Sequence, residues 1–87
     1  MPRNEPLALS PEDQRVQARN LAVLQNVPAG KPVTVAYVKR NGQQSHSTGT
    51  VEFFNGKPGF DTGSVTIATD DKGPRTVNLH RIIHIAL

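Results

Sequence analysis

Hydrophobic and polar residues follow two different spacings along this chain, one helical and one strand-like. Residues 11–26 hold no glycine and no proline after the first position, so they predict one helix. Its hydrophobic side chains crowd toward its end: Val16, Leu21, Val23 and Leu24. The helix is therefore expected to pack through its last two turns only. After Pro32 the hydrophobic residues alternate with polar ones in short runs, which is typical of β-strands.

The helix start is marked by the sequence SPED, residues 10–13. Ser10 can cap the first backbone N–H groups, Pro11 suits the first helical position, and the two acidic residues complement the positive end of the helix dipole. Residues 1–9 contain two prolines and predict a disordered leader. The remaining residues, 10–87, predict a single domain with the helix at 11–26 and the strands within 32–87.

Five short strands are predicted after Pro32, and polar turns separate them. The runs are VTVAYV (33–38), TVEFF (50–54), SVTIAT (64–69), RTVNL (75–79) and IIHIAL (82–87). The segment 39–49 is predicted as a turn, because its Asn-Gly pair is a hairpin signal. In the second run the alternation places Phe53 on the same face as Val51 and Phe54 on the other face.

The predicted fold class is mainly β, with an N-terminal α-helix followed by a five-stranded antiparallel barrel. A small chain has a thin core, and closing the sheet on itself is one way to bury enough hydrophobic surface. An open sheet with the helix laid across it is the alternative arrangement.

Composition narrows the class of protein. The chain has 87 residues and no cysteine, so neither a disulfide framework nor a zinc–thiolate site reinforces it. It contains no apolar run of bilayer-spanning length and no apolar signal-peptide segment near its start. These observations predict a soluble cytoplasmic protein without a membrane partner.

The formal net charge of +3 comes entirely from the strand-forming part. Up to Gly30 three basic residues cancel three acidic ones, whereas from Lys31 onward there are seven basic and four acidic residues. A positive excess on one face steers polyanions, whereas a scattered excess only aids solubility.

The strand motifs, taken in order, resemble those of a known fold. After a helix and a strand come G-x-V-x-x-F (49–54), V-x-I (65–67) and a strand that closes on isoleucine. This order resembles the Sm-like barrel, a five-stranded SH3-like fold. Within that group GPRTVNLHRIIHI (73–85) resembles the R-T-x-x-L-x-R-I ending of WYL-type modules, and V-x-V-x-Y (33–37) resembles their opening strand. The resemblance to WYL-type modules implies ligand contacts at Arg75 and Arg81.

Some residues that carry function in those families have no counterpart here. The Trp-Tyr-Leu triplet of WYL modules is replaced by Ser64, Val65 and Thr66. The Asp and Asn of the Sm uridine pocket do not occur in FFNGKPGFDTGSV (53–65) at the expected spacing, and VNLHRI (77–82) replaces the Sm Arg-Gly pair. A uridine-binding ring is therefore not predicted.

The glycine-rich segment FFNGKPGFDTGSV joins two predicted strands. A phosphate-binding P-loop leads into a helix, but here Lys57 is followed by Pro58 and then by a strand. The G-x-x-G at 56–59 also occurs in KH domains, where it joins two helices, and no second helix is predicted here. What remains is a long hairpin connection with Phe60 at its tip. Phe60 either stacks on a nucleobase or packs onto its own core.

Single-stranded nucleic acid is the partner that the basic and aromatic residues of the strand region favour. Cations hold the phosphates and aromatic faces hold the bases of such a ligand. The predicted contacts are Tyr37, Lys39, Arg40, Phe60, Arg75 and Arg81. The competing interpretation is that Arg75 pairs with Asp70 or Asp71 across its own turn.

A protein-interaction adaptor is the second functional class. It would modulate transcription or RNA-processing machinery and dock through a sheet edge or the helix. Homo-oligomers formed through edge strands are a further expectation in either class.

No catalytic or metal-binding constellation emerges from the sequence. His80 and His84 lie four apart in the isoleucine-rich segment NLHRIIHI (78–85), which is predicted to be extended, so their side chains are separated by about 13 Å and lack a third ligand. Ser45, His46 and Ser47 are neighbours whose side chains point apart, with no carboxylate to orient the imidazole. The sequence predicts a binding module and not an enzyme, with no cofactor.

Overall fold

The structure, a computed structural model, describes residues 7–70 and 72–87. Its elements in chain order are α1 (Pro11–Gln25), β1 (Pro32–Val38), β2 (Gln44–Asn55), β3 (Ser64–Thr69), β4 (Gly73–Asn78), a 3-10 turn (Leu79–Arg81) and β5 (Ile82–Ala86). The chain is mainly β, and the predicted helix followed by five antiparallel strands is confirmed.

The predicted leader, residues 1–9, falls only partly within the described residues. Residues 1–6 lie outside them. The next three residues are paired with the glycine-rich loop, because Ala8 forms an antiparallel bridge with Phe60 and Leu9 N–H donates to the Gly59 carbonyl at 2.9 Å. The sequence pattern did not predict this pairing.

Helix α1 begins at the predicted residue, but its buried face is mostly polar and does not follow the hydrophobic pattern of the sequence. The Ser10 hydroxyl accepts a hydrogen bond from Asp13 N–H at 3.2 Å, and Pro11 occupies the first turn. The buried side chains of α1 are Gln17, Asn20 and Leu24, and two of these three are polar. The expectation that α1 packs only through its last two turns is therefore wrong, because hydrogen-bonded amides extend the buried face toward the helix start.

The five strands form one antiparallel sheet in the order β4-β3-β2-β1-β5. β1 pairs with the first half of β2 (residues 44–50) and β3 pairs with its second half (49–55). The two neighbouring strands therefore overlap along β2 only at residues 49–50. At the overlap, a Cβ on Gly49 would run into the backbone carbonyl of Ala68, so this position requires glycine.

The sheet is curved but not closed. Its ladder ends at β4 on one side and β5 on the other, and these two strands do not pair with each other within the described residues. Helix α1 packs instead against the 3-10 turn and β5, beside the open edge. Of the two arrangements considered from the sequence, the open sheet with a packed helix describes these contacts, and a closed barrel is not observed.

The hydrophobic core lies between the inner face of the sheet, α1 and the 3-10 turn. Its buried members are Leu24, Val33, Val35, Val65, Ile67, Val77, Leu79 and Ile82. Burial of each such side chain contributes on the order of 1.5–3 kcal/mol. Val77 and Leu79, the two hydrophobic residues of the predicted run RTVNL, are both buried in this core.

Strand β2 differs from its prediction in two ways. It begins at Gln44 and not at Thr50, so the hydrophilic segment QSHSTG is strand rather than turn. The pairing register then shifts between Val51 and Phe53, which places a β-bulge at Glu52. Because the bulge reverses the alternation, Phe54 packs against the core and Phe53 is 52% exposed, the opposite of the predicted orientation.

Candidate nucleic-acid interface

Three cationic side chains and a tyrosine share one pocket at the polar end of the inner sheet face. This cationic pocket has a volume of about 280 Å³ and is lined by Tyr37, Lys39, Ser45, His46, Ser47, Thr48, Thr69, Lys72 and Arg75. Among the residues that the structure describes, none that lines this pocket is acidic. Lys39 comes from the end of β1, whereas Lys72 and Arg75 come from the β3–β4 hairpin, so the curvature of the sheet brings them together.

Turn hydrogen bonds hold the backbone of these cationic residues. Lys39 N–H donates to the Gln43 carbonyl at 2.8 Å, and the Lys39 carbonyl accepts from Gly42 N–H at 2.9 Å. In the β3–β4 hairpin the Thr69 hydroxyl donates to the Gly73 carbonyl at 2.6 Å and accepts from Lys72 N–H at 3.2 Å. The positive charges are therefore presented by two fixed turns.

Tyr37 lines the cationic pocket, and the charges of the pocket affect the pKa of its hydroxyl. Its hydroxyl lies 3.5 Å from the Ser47 hydroxyl, a long contact for a hydrogen bond. The interaction with Ser47 lowers the pKa of Tyr37, burial opposes this, and Ser45, Arg75 and Lys39 lower the pKa further. The two cations favour the phenolate because the pocket carries a positive potential.

A second depression continues from the cationic pocket along the end of β1. This central cleft, about 340 Å³, is lined by Tyr37, Val38, Lys39, Arg40, Thr76, Val77, Asn78 and Arg81. It shares Tyr37 and Lys39 with the cationic pocket. Arg81 crosses the cleft, since its Nη1 donates to the Lys39 carbonyl at 3.3 Å.

A third depression adjoins the central cleft and is lined by both basic and acidic side chains. This Asp61 pocket, about 380 Å³, is lined by Arg40, Asp61, Thr62, Asn78, His80 and Arg81, and shares Arg40, Asn78 and Arg81 with the central cleft. Burial lowers the pKa of His80, the Arg81 charge lowers it further, and Asp13 and Asp61 oppose the shift. His80 Nδ1 and Arg81 Nε are buried without a hydrogen-bond partner among the described residues.

Together the cationic pocket, the central cleft and the Asp61 pocket form one continuous surface, here named the basic strip. Five of the six predicted contact residues lie in it: Tyr37, Lys39, Arg40, Arg75 and Arg81. The predicted alternative partner of Arg75, Asp70, does not line the cationic pocket, and Asp71 lies outside the described residues.

Phe60 is the predicted contact residue that the structure places apart from the basic strip. It is half-buried, its backbone bridges Ala8, and its carbonyl accepts a hydrogen bond from Gln17 Nε2 at 2.9 Å. The other side of the Gln17 amide accepts from Gly59 N–H at 2.6 Å. The glycine-rich loop is thus clamped between α1 and residues 7–9, and Phe60 lines none of the three pockets.

Sequence reasoning missed several residues of the strip. Lys72 is not among the predicted contacts, and Ser45, His46 and Ser47 were considered for catalysis but not for binding. The available signal was the alternation of hydroxyl residues in QSHST, which is compatible with a strand that has a polar inner face.

Comparison with known proteins supplies no identity. No model of a known protein family matches this chain, and no curated protein matches it.

Within residues 7–70 and 72–87 no helix combines the length and apolar character needed to cross a membrane. In the same ranges no three His, Cys, Asp or Glu side chains group closely enough to hold a metal ion.

Proposed function

We propose that this protein is a small non-enzymatic regulatory module that binds single-stranded nucleic acid, RNA or DNA, along the basic strip. Its five cationic residues are Lys39, Arg40, Lys72, Arg75 and Arg81. The single observation that carries the proposal is their convergence, from three separate segments of the chain, on one continuous surface whose lining, within the described residues, holds one carboxylate, Asp61.

The chemistry of the strip suits a flexible polyanion. Cationic side chains neutralise phosphates, and the resulting release of counterions supplies much of the affinity for nucleic acid. Tyr37 is the one Phe, Tyr or Trp side chain that lines the strip, so it offers a phenol face for a single base. With Phe60 held elsewhere, phosphate contacts dominate, and binding is expected to depend weakly on base sequence.

The fold is compatible with the resemblance that the sequence motifs suggest. A helix followed by a five-stranded antiparallel sheet is compatible with the Sm-like, SH3-like architecture and the WYL-type modules that the motifs resemble. Arg75 and Arg81, the two positions that this resemblance implies as ligand contacts, both lie in the strip. Because SH3-like folds serve many functions, the proposal depends on the strip and not on the fold.

Salt-dependent binding of a mixed-sequence single-stranded oligonucleotide tests the proposal. Five phosphate contacts predict that log K falls with log salt concentration at a slope of roughly −3 to −4. The double variant Arg75→Ala, Arg81→Ala removes two contacts, so the slope becomes shallower by about 1.4 and affinity falls.

A matched control is available in α1. Arg15 and Arg19 are exposed and lie outside the strip, so Arg15→Ala, Arg19→Ala changes the net charge equally. This control variant is expected to bind almost like the wild type. If the two double variants lose the same affinity, net charge and not the strip is responsible, and the proposed interface is wrong.

A protein-interaction adaptor is the second candidate, and exposed hydrophobic side chains favour it. Ile83 is 50% exposed and Leu87 is 67% exposed, both at or beyond the edge strand β5. An extended peptide can add to such an edge. This function becomes the better one if no oligonucleotide binds at low salt.

A further inference from the structure

We propose that the cationic pocket binds the terminal phosphomonoester of a single-stranded nucleic acid. This inference rests on the proposed function and deepens it, because it assigns one part of the basic strip to a strand end. A 5′- and a 3′-phosphate share the chemistry in question, a phosphate group with three free oxygens and a charge of about −1.5 to −2 at neutral pH.

The charge of the pocket matches that group better than it matches an internal phosphate. An internal phosphodiester carries one negative charge, whereas Lys39, Lys72 and Arg75 bring three positive charges to a pocket that is lined by no acidic residue of the ranges 7–70 and 72–87. The Asp61 pocket provides a contrast on the same strip. There two arginines face one carboxylate, which suits a monoanionic backbone phosphate.

Hydroxyl groups in the cationic pocket supply hydrogen-bond donors for the third free oxygen of a terminal phosphate. Ser45 and Ser47 line the pocket beside Tyr37. The contact between the Tyr37 and Ser47 hydroxyls is long, at 3.5 Å, so a ligand oxygen can compete with Tyr37 for the Ser47 proton. Ser47 is itself buried, so the donor that it supplies is fixed in place by the sheet.

The position of the pocket also suits a strand end. The cationic pocket lies at one end of the strip and shares lining residues with the central cleft, which leads on to the Asp61 pocket. A terminal phosphate in the cationic pocket would therefore leave the following phosphates to run past Lys39 toward Arg40 and Arg81.

The test compares oligonucleotides of one sequence that differ only at their ends. They carry a 5′-phosphate, a 3′-phosphate, two hydroxyl ends, or a 5′-phosphate methyl ester, which keeps the phosphorus but removes one charge. We expect one phosphorylated end to bind about tenfold more tightly than the hydroxyl form, with the methyl ester close to the hydroxyl form. The 5′ and 3′ arms identify which end is bound.

Two lysine variants show whether the preference arises in this pocket. Lys72→Ala should abolish the difference between phosphate and hydroxyl ends, whereas Lys57→Ala, an exposed lysine outside the pocket, should preserve it. The chain has one Tyr and no Trp, so a change in tyrosine fluorescence on binding of the phosphorylated oligonucleotide reports on Tyr37 alone.

The outcomes separate this inference from the function on which it rests. Equal affinity for all four oligonucleotides overturns the terminal-phosphate site and leaves the proposed nucleic-acid function in place. A preference that survives unchanged in Lys72→Ala overturns the assignment to this pocket. Failure of every oligonucleotide to bind at low salt overturns both proposals.

Discussion

The side-chain amide of Asn20 in α1 donates a hydrogen bond to the backbone carbonyl of Leu79 at 2.8 Å. The same Nδ2 group donates to the Ile82 carbonyl at 3.0 Å, so one buried amide spans the turn between β4 and β5. That turn carries His80 and Arg81 into the Asp61 pocket. Helix α1 thus positions part of the basic strip through a polar contact and not through hydrophobic packing alone.

Replacement of this amide is expected to be costly. Asn20→Ala leaves two buried carbonyls without their donor, and a buried polar group without a partner costs about 1–3 kcal/mol. We expect the free energy of unfolding in urea to fall by about 2–3 kcal/mol. Asn26→Ala is the control, since the exposed Asn26 amide donates only to Ala22 in its own helix. Equal losses in the two variants would contradict the role given to Asn20.

The protonation of His80 makes stability depend on pH. Burial lowers the pKa of His80 below its ordinary 6.5, so the unfolded chain takes up this proton at a higher pH than the folded chain does. Stability is therefore complete above about 6.5 and declines as the pH falls from there toward the folded pKa. In urea unfolding at neutral and mildly acidic pH, His80→Gln should show a smaller decline than the wild type.

His84 provides the matched control for that experiment, because it is an exposed histidine of the adjacent strand. His84→Gln is expected to retain the wild-type dependence on pH. A decline that is unchanged in His80→Gln would show that other groups cause it.

The single tyrosine reports the potential of the cationic pocket. Titration of phenolate absorbance should give a Tyr37 pKa below its ordinary 10.0. Arg75→Ala should raise this pKa, because the guanidinium stabilises the phenolate, whereas Arg19→Ala on α1 should leave it unchanged. A Tyr37 pKa that does not respond to Arg75→Ala would mean that this arginine does not face the pocket in solution.

Self-association through the sheet edges is a further prediction. In the part of the chain that the structure describes, β4 and β5 each present one unpaired edge, and β5 adds the exposed Ile83. Light scattering should show an apparent mass that rises with protein concentration, and Ile83→Lys should suppress the rise. A mass of one chain at the highest concentration would rule out this assembly.

Much of the fold could be predicted from the alternation of hydrophobic and polar residues and from the turn signals in the sequence. SVTIAT matches β3 residue for residue, and the predicted helix differs from α1 by one residue. The first half of β2 was missed because QSHSTG lacks hydrophobic side chains on either face: it lines a polar pocket and not the core. The Phe53–Phe54 pair was reversed by a bulge that no local pattern marks.

The site was predictable in its charges but less so in its geometry. The arginines and Lys39 were identified because they lie in or beside the turns that join the strands, where side chains reach solvent. Their convergence depends on the curvature of the sheet, which places the β3–β4 hairpin next to the end of β1. The anchoring of Phe60 depends on Gln17, a polar residue whose burial cannot be inferred from hydrophobic periodicity.

The most direct test of the central claim is an amide chemical-shift titration with a single-stranded oligonucleotide at low salt. The basic strip predicts the largest shifts at Lys39, Arg40, Ser47, Lys72, Arg75 and Arg81, with Arg15 and Arg19 of α1 unchanged. Absence of any shift, or shifts confined to α1 and the far edge of β5, would contradict the account.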